Sequence, residues 1–193
     1  MQTKETMMRV KPFAITLDVG TSLANRTGSW RTLKPVYVDR LPPCNAKCPA
    51  GEQCQAWLFH AQSGNYENAW KQIIEDNPFP AVMGRVCYHT CQGACNRNGI
   101  DEPVGINAVE RFLGDYALEK DWQLPVPAAD TGKRILIVGA GPAGLSAAYQ
   151  LRRLGHAVHV VESAEAAGGM MRYGIPKYRL PREVPVSYTH LTL

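Results

Sequence analysis

KRILIVGAGPAGLSAAYQLRRLGHAVHVVE, residues 133–162, runs from an apolar strand into a glycine-rich turn, a helix and a second strand closed by an acid. Each part has a physical job in a dinucleotide-binding βαβ unit. Gly139 permits the tight turn, Gly141 lets backbone approach a pyrophosphate, and Gly144 lets the helix pack on the strand. Pro142 and Ala143 open the helix, whose free amides face the phosphates. Leu145, Ala148, Leu151 and Leu154 form its apolar stripe, Gly155 stops it, and Val158, Val160 and Val161 supply the β-branched second strand. Glu162 falls where such a unit places the acid that bonds ribose hydroxyls and repels a 2′-phosphate, which favours FAD or NAD over NADP at this site.

Outward from that unit the composition is that of a globular chain. Its 193 residues are 45% hydrophobic and 20% charged, with a net charge of +4 spread among interleaved acids and bases. No basic block or aromatic-basic stripe points to nucleic acid. No stretch has the length of a membrane span and the N-terminus lacks a signal-peptide core, so no membrane is expected and the cytoplasm is the expected compartment. In that reducing compartment the six cysteines are better metal or cluster ligands than disulfide partners.

Between Pro43 and Lys120 the pattern is helical. Glu52 to Ser63 carries Trp57, Leu58 and Ala61 on one face, and Tyr66 to Glu75 carries Trp70, Ile73 and Ile74. Gly64-Asn65 turns between them, which predicts an antiparallel pair. Asn77-Pro78 stops the second helix. An irregular loop is expected over Cys87 to Cys95, then a helix from Gly105 to Lys120 with Ile106, Val109, Leu113 and Tyr116 inward. Residues 122–133, WQLPVPAADTGK, have linker composition. A strand is expected over Phe13 to Val19. The domains expected are an arm (1–43), a helical domain (44–121), the linker and the start of a Rossmann unit (134–185).

The cysteines read Cys44-x3-Cys48-Pro, Cys54, and Cys87-x3-Cys91-x3-Cys95. Thiolates suit iron–sulfur clusters, and proline directly after a ligand cysteine recurs in bacterial ferredoxins; four thiolates suit zinc equally well. Spacing alone leaves both open. Cys54 reads as a small buried hydrophobe, and His89 as a solvated or backbone-bonded side chain.

Several phrases resemble a known family. Asp76-Asn77-Pro78, Gly84-Arg85-Val86-Cys87, Gly93-Ala94-Cys95 and Pro103-Val104-Gly105-Ile106 look like the helical cluster domain that precedes the flavin domain in glutamate synthase small subunits and dihydropyrimidine dehydrogenase. The segment SAEAAGGMMRYGIPKYRLPREV after Glu162, with Gly174-Ile175-Pro176 and Leu180-Pro181, is similar to the flavin-contacting part of the same proteins. The resemblance implies an α+α/β chain: an all-α iron–sulfur domain, then the first part of a Rossmann-like FAD-binding domain. It implies FAD contacts at Gly168, Gly169 and Met170, and a [4Fe–4S] cluster on Cys48, Cys87, Cys91 and Glu110. A second cluster would draw on Cys44 and Cys95, but the C-x-x-C pair completing it is absent. The implied activity is an NAD(P)H-dependent flavin oxidoreductase subunit, with the NAD(P) site expected beyond Pro185. The implied partner is a glutamate synthase large subunit. The phrase Thr27-Gly28-Ser29-Trp30-Arg31 resembles 2-oxoacid:ferredoxin oxidoreductases and offers that enzyme as the alternative partner. A zinc-stabilised nucleotide-binding module is the reading from another class. Residues 186–193, VSYTHLTL, resemble a translated sequencing adapter, so the native frame is expected to be interrupted near Pro185.

Overall fold

The computed structural model describes residues 41–125 and 128–185. The expected strand at Phe13–Val19, the Thr27–Arg31 phrase and the 186–193 tail lie outside the described residues.

Among the described residues, five α-helices and a 3-10 turn precede the longest helix. They are α1 (Pro43–Lys47), α2 (Cys54–Gln62), α3 (Tyr66–Ile73), α4 (Pro80–Val86), α5 (Thr90–Gly93), the 3-10 turn Asn96–Gly99, and α6 (Ile106–Glu119). There follow β1 (Arg134–Val138), α7 (Pro142–Arg153), β2 (Ala157–Val161) and α8 (Met170–Tyr173). Helices α2, α3 and α6 are those the apolar spacing predicts, and Trp57, Ile73 and Leu113 close the core between them with no exposed surface. Burying three side chains of that size is worth about 1.5–3 kcal/mol each.

Helix α4 and the structure inside Cys87–Cys95 differ from expectation. Pro80 occupies the first turn of α4, where its missing N–H costs nothing. This helix crosses α6 backbone to backbone: a Cβ on Gly84 would lie 2.4 Å from Arg111 Cα, and one on Gly114 2.2 Å from Ala81 N. Arg85 then clamps the crossing, donating to Asp115 Oδ1 at 2.6 Å and Oδ2 at 2.9 Å. The expected irregular loop contains α5, entered through His89 in the left-handed region at φ 56°, and the 3-10 turn follows directly after Cys95.

Strands β1 and β2 pair in parallel, Arg134 against Ala157 through Val138 against Val161. Helix α7 covers one face, burying Leu145 and Ala148. Leu154, expected on that stripe, is 61% exposed because it is the helix C-cap, and Gly155 at φ +85° turns the chain away. Leu136 and Val138 are exposed on the sheet.

Two buried clusters join the helical and Rossmann parts. Phe79, Ala81 and Val82 pack with Ala140, Leu145, Met171, Leu180 and Val184. Trp70, Ile74 and Ala117 pack with Tyr149, and Trp122 and Leu124 lie against them. Gln150 Nε2 and Arg153 Nη1 of α7 both donate to Glu75 O, just past α3, at 2.8 and 2.7 Å. No helix among the described residues is long and apolar enough to cross a membrane.

Candidate functional site

Two sites emerge, one made of backbone and one of side chains. In the first, Gly139 at φ +100° donates its N–H to Val161 O at 2.7 Å, which ties the glycine turn to the end of β2. A Cβ on Gly144 would sit 1.9 Å from Gly139 O, so no other residue fits there without moving the turn. Gly141 is the N-cap of α7 and offers no side-chain cap; Pro142 follows it, and Ala143 is exposed on the first turn. The first-turn amides therefore remain available to an anion.

The second glycine pair closes on the first. Gly168 N donates to Ala140 O at 2.8 Å, and a Cβ on Gly169 would come within 2.7 Å of Gly141 Cα. Met170, at the start of α8, is exposed beside them, while Met171 is buried beneath. Glu162 spans the turn: Oε1 accepts from Ala164 N at 2.8 Å and Oε2 from Ala140 N at 2.7 Å. These amides, that of Ala164 first, hold the carboxyl below the usual range and keep it ionised. The structure thus gathers Gly139, Gly141, Gly144, Glu162, Gly168, Gly169 and Met170 into one cradle.

The cysteine site is built at element ends. Cys48 follows α1, Cys54 opens α2, Cys87 caps α4, and Cys91 sits in α5. Thr90 Oγ1 donates to Lys47 O at 2.9 Å, which pins the Cys91 segment to the Cys48 segment. The Cys48 thiol is lowered to about 6, first by the Cys54 thiol and then, against burial, by the amides of Glu52, Ala50 and Gly51. The Cys54 thiol is pushed up, by the Cys48 thiolate first and then by burial. Burial, then the Cys87 and Cys48 charges, push Cys91 up to about 11. Cys87 Sγ accepts from His89 N at 3.4 Å.

Glu110 points inward from α6 and is 6% exposed. Burial, then Glu52 and Cys48, push its carboxyl up to about 9. Glu52 is driven up to about 7, chiefly by burial, with Asn77 opposing and Cys48 adding to the rise. Cys48, Cys54, Cys87, Cys91, Glu52 and Glu110 thus form one electrostatic neighbourhood.

Glu52 and Asn77 are the residues sequence reasoning missed. Asn77 Nδ2 donates to Glu52 Oε1 at 2.8 Å and to Glu110 Oε1 at 2.9 Å. Neither acid takes part in the ion pairs found among the described residues. Buried acids and thiols without a cation fit a cationic metal–sulfide core. No three His, Cys, Asp or Glu side chains among the described residues are gathered tightly enough to chelate a single ion. Cys44 borders the same core, whereas the groups acting on Cys95 are Val104, Arg97 and Asp101.

Both parts of the chain match known domain families. Residues 38–122 match the family described as dihydropyrimidine dehydrogenase domain II, 4Fe-4S cluster, and residues 137–189 the NAD(P)-binding Rossmann-like domain. The chain therefore combines a domain of the 4Fe-4S cluster type with an NAD(P)-binding Rossmann-like domain. Its relatives include proteins named as glutamate synthase small chains and dihydropyrimidine dehydrogenase subunits. It is 38% identical to the glutamate synthase (NADPH) small chain of Bacillus subtilis over 138 residues, 71% of this chain and 28% of that protein. Against the NAD-dependent dihydropyrimidine dehydrogenase subunit PreT homolog of Salmonella typhi it is 38% identical over 144 residues, 74% and 35% of the two. Against the NADP(+)-dependent formate dehydrogenase subunit beta of Moorella thermoacetica it is 37% identical over 165 residues, 74% and 23%. The chain thus spans about a quarter to a third of these three relatives.

Proposed function

We propose that this chain is the cofactor-bearing part of an oxidoreductase subunit that passes electrons between NAD(P)H and a catalytic partner subunit. FAD would lie in the double-glycine cradle, and one [4Fe–4S] cluster on Cys48, Cys87, Cys91 and Glu110. Flavin exchanges hydride with nicotinamide and single electrons with a cluster, so this pair of groups supplies the redox chemistry when bound. The protein's own residues bind and insulate. The amides at the start of α7 meet a pyrophosphate, Glu162 takes ribose hydroxyls, and the thiols of Cys48, Cys87 and Cys91 take iron.

The observation that carries this reading is helix α4. Its N-terminal end, Phe79 to Val82, is packed into the same buried cluster as Ala140, Leu145 and Met171 of the cradle, and its C-cap is Cys87. Seven residues of α-helix span about 10 Å. One short rigid element therefore links both candidate sites. A partner subunit is supported by relatives named as a small chain and as a subunit beta. The glutamate synthase large subunit is the first candidate, and the formate dehydrogenase relative supports a second, the catalytic subunit of such an enzyme. A second cluster on Cys44 and Cys95 would need ligands from outside the described residues.

Iron, acid-labile sulfide and zinc, measured in the full chain purified without oxygen, test the cluster. About four iron and four sulfide per chain are expected; zinc without sulfide would overturn the reading. Titration with FAD and with NADH, followed by flavin fluorescence and by calorimetry, tests the cradle. Tight FAD binding is expected, and preference for NADH would reassign the site.

A further inference from the structure

The turn between α3 and α4 contains a side chain with more hydrogen bonds than a turn requires. Asn77 is 4% exposed, and its Oδ1 accepts from Phe79 N at 3.0 Å. That bond completes an Asx-type turn, for which Asp or Ser serves as well. The distinctive part is the NH2 group. Both of its protons go to carboxylates, Glu52 Oε1 and Glu110 Oε1, from residues 25 and 33 positions away. Both acids are buried, at 5% and 6% exposure. Asn77 thus engages Oε1 of each acid.

We propose that Asn77 is a positioning residue for the cluster: it holds Oε1 of Glu110, orients Oε2 towards iron, and restrains Glu52 as a competing carboxylate. The inference rests on Glu110 being the fourth ligand. A glutamate side chain has three torsions, and two acids here border the same cysteine, so the choice and aim of the ligand need an external constraint. A single amide bonded to both acids provides it. Glu52 comes from the segment before α2, Asn77 from the α3–α4 turn and Glu110 from α6, so the bridge also fixes these segments about the site.

Four full-length chains, purified and kept anaerobic, test this: wild type, Asn77→Ser, Glu110→Cys and the double variant. Serine retains a short acceptor for Phe79 N but reaches neither acid. Asn77→Ser is expected to retain iron against a chelator about tenfold less well than wild type and to alter the electron paramagnetic resonance line shape of the reduced chain, with far-ultraviolet circular dichroism unchanged. In the Glu110→Cys background, where a thiolate replaces the oriented carboxylate, the same substitution is expected to have no effect. An unchanged Asn77→Ser, or equal losses in both backgrounds, overturns the proposal. If Asn77→Ser alone does not fold, a double variant that folds and holds iron supports the proposal, and one that does not assigns Asn77 to the turn and overturns it. Zinc without sulfide in the wild type would remove the cluster reading and this inference together; a sound wild-type cluster with no Asn77 effect removes this inference alone.

Discussion

The dinucleotide cradle and the cysteine site are made in opposite ways. The cradle is backbone held by backbone: Gly139 on Val161, Gly168 on Ala140, and a carboxylate that accepts two amides. Its shape is set by contacts within the chain. The cysteine site is a collection of half-buried to buried thiols and acids: burial raises the proton affinity of Cys91 and Glu110 while Cys54 lowers that of Cys48, and a single neutral amide bridges the two acids. Its shape depends on what neutralises it. A site of the first kind tolerates an empty state; one of the second kind draws stability from its occupant.

The largest expected effect attacks the preformed half. Gly144→Val drives side-chain atoms into Gly139 O and should cost about 3 kcal/mol, abolishing FAD binding in a fluorescence titration while iron per chain is retained. If iron falls in parallel, the two sites are not independent. Next, extracting the cluster anaerobically should accelerate hydrogen exchange in the core around Trp57, Ile73 and Leu113 by about thirtyfold, or about 2 kcal/mol. The β1–β2 amides should hold their protection, and equal loss in both regions would erase the contrast. Asp115→Ala leaves the mostly buried Arg85 guanidinium with Ala81 O alone, at 2.7 Å. About 1 kcal/mol is expected by thermal melting, since Asp115 is partly exposed. The exposed Glu67–Lys71 pair at 2.6 Å sets the floor. Lys71→Ala should change stability by less than about 0.5 kcal/mol, with both cofactors retained.

The same contrast explains what could be read from the residues alone. The cradle was legible because its determinants are local: glycines, a β-branched run and an acid at fixed spacing. Helices α2, α3 and α6 were legible from their apolar period. Helix α4 was not, because PAVMGRV is only seven residues long and its shape follows from how Gly84 and Gly114 let it lie on α6. Glu52 and Asn77 were illegible for a further reason. Their partners lie tens of residues away, and neither an acid before Cys54 nor an asparagine before a proline announces a bridge across that distance. Leu154 shows the limit of periodicity at a helix end, where the cap and not the stripe decides exposure.

The two bonds from Gln150 and Arg153 to Glu75 O bear on how such chains can be recombined. The carbonyls at a helix C-terminus lack partners within their own helix, and here the acceptor just past α3 is served by donors from α7. A hybrid joining this helical half to another protein's Rossmann half would inherit the linker yet lose that latch unless the incoming helix also carried an amide and a guanidinium three residues apart. Grafting success should therefore follow those two positions more closely than the choice of joint.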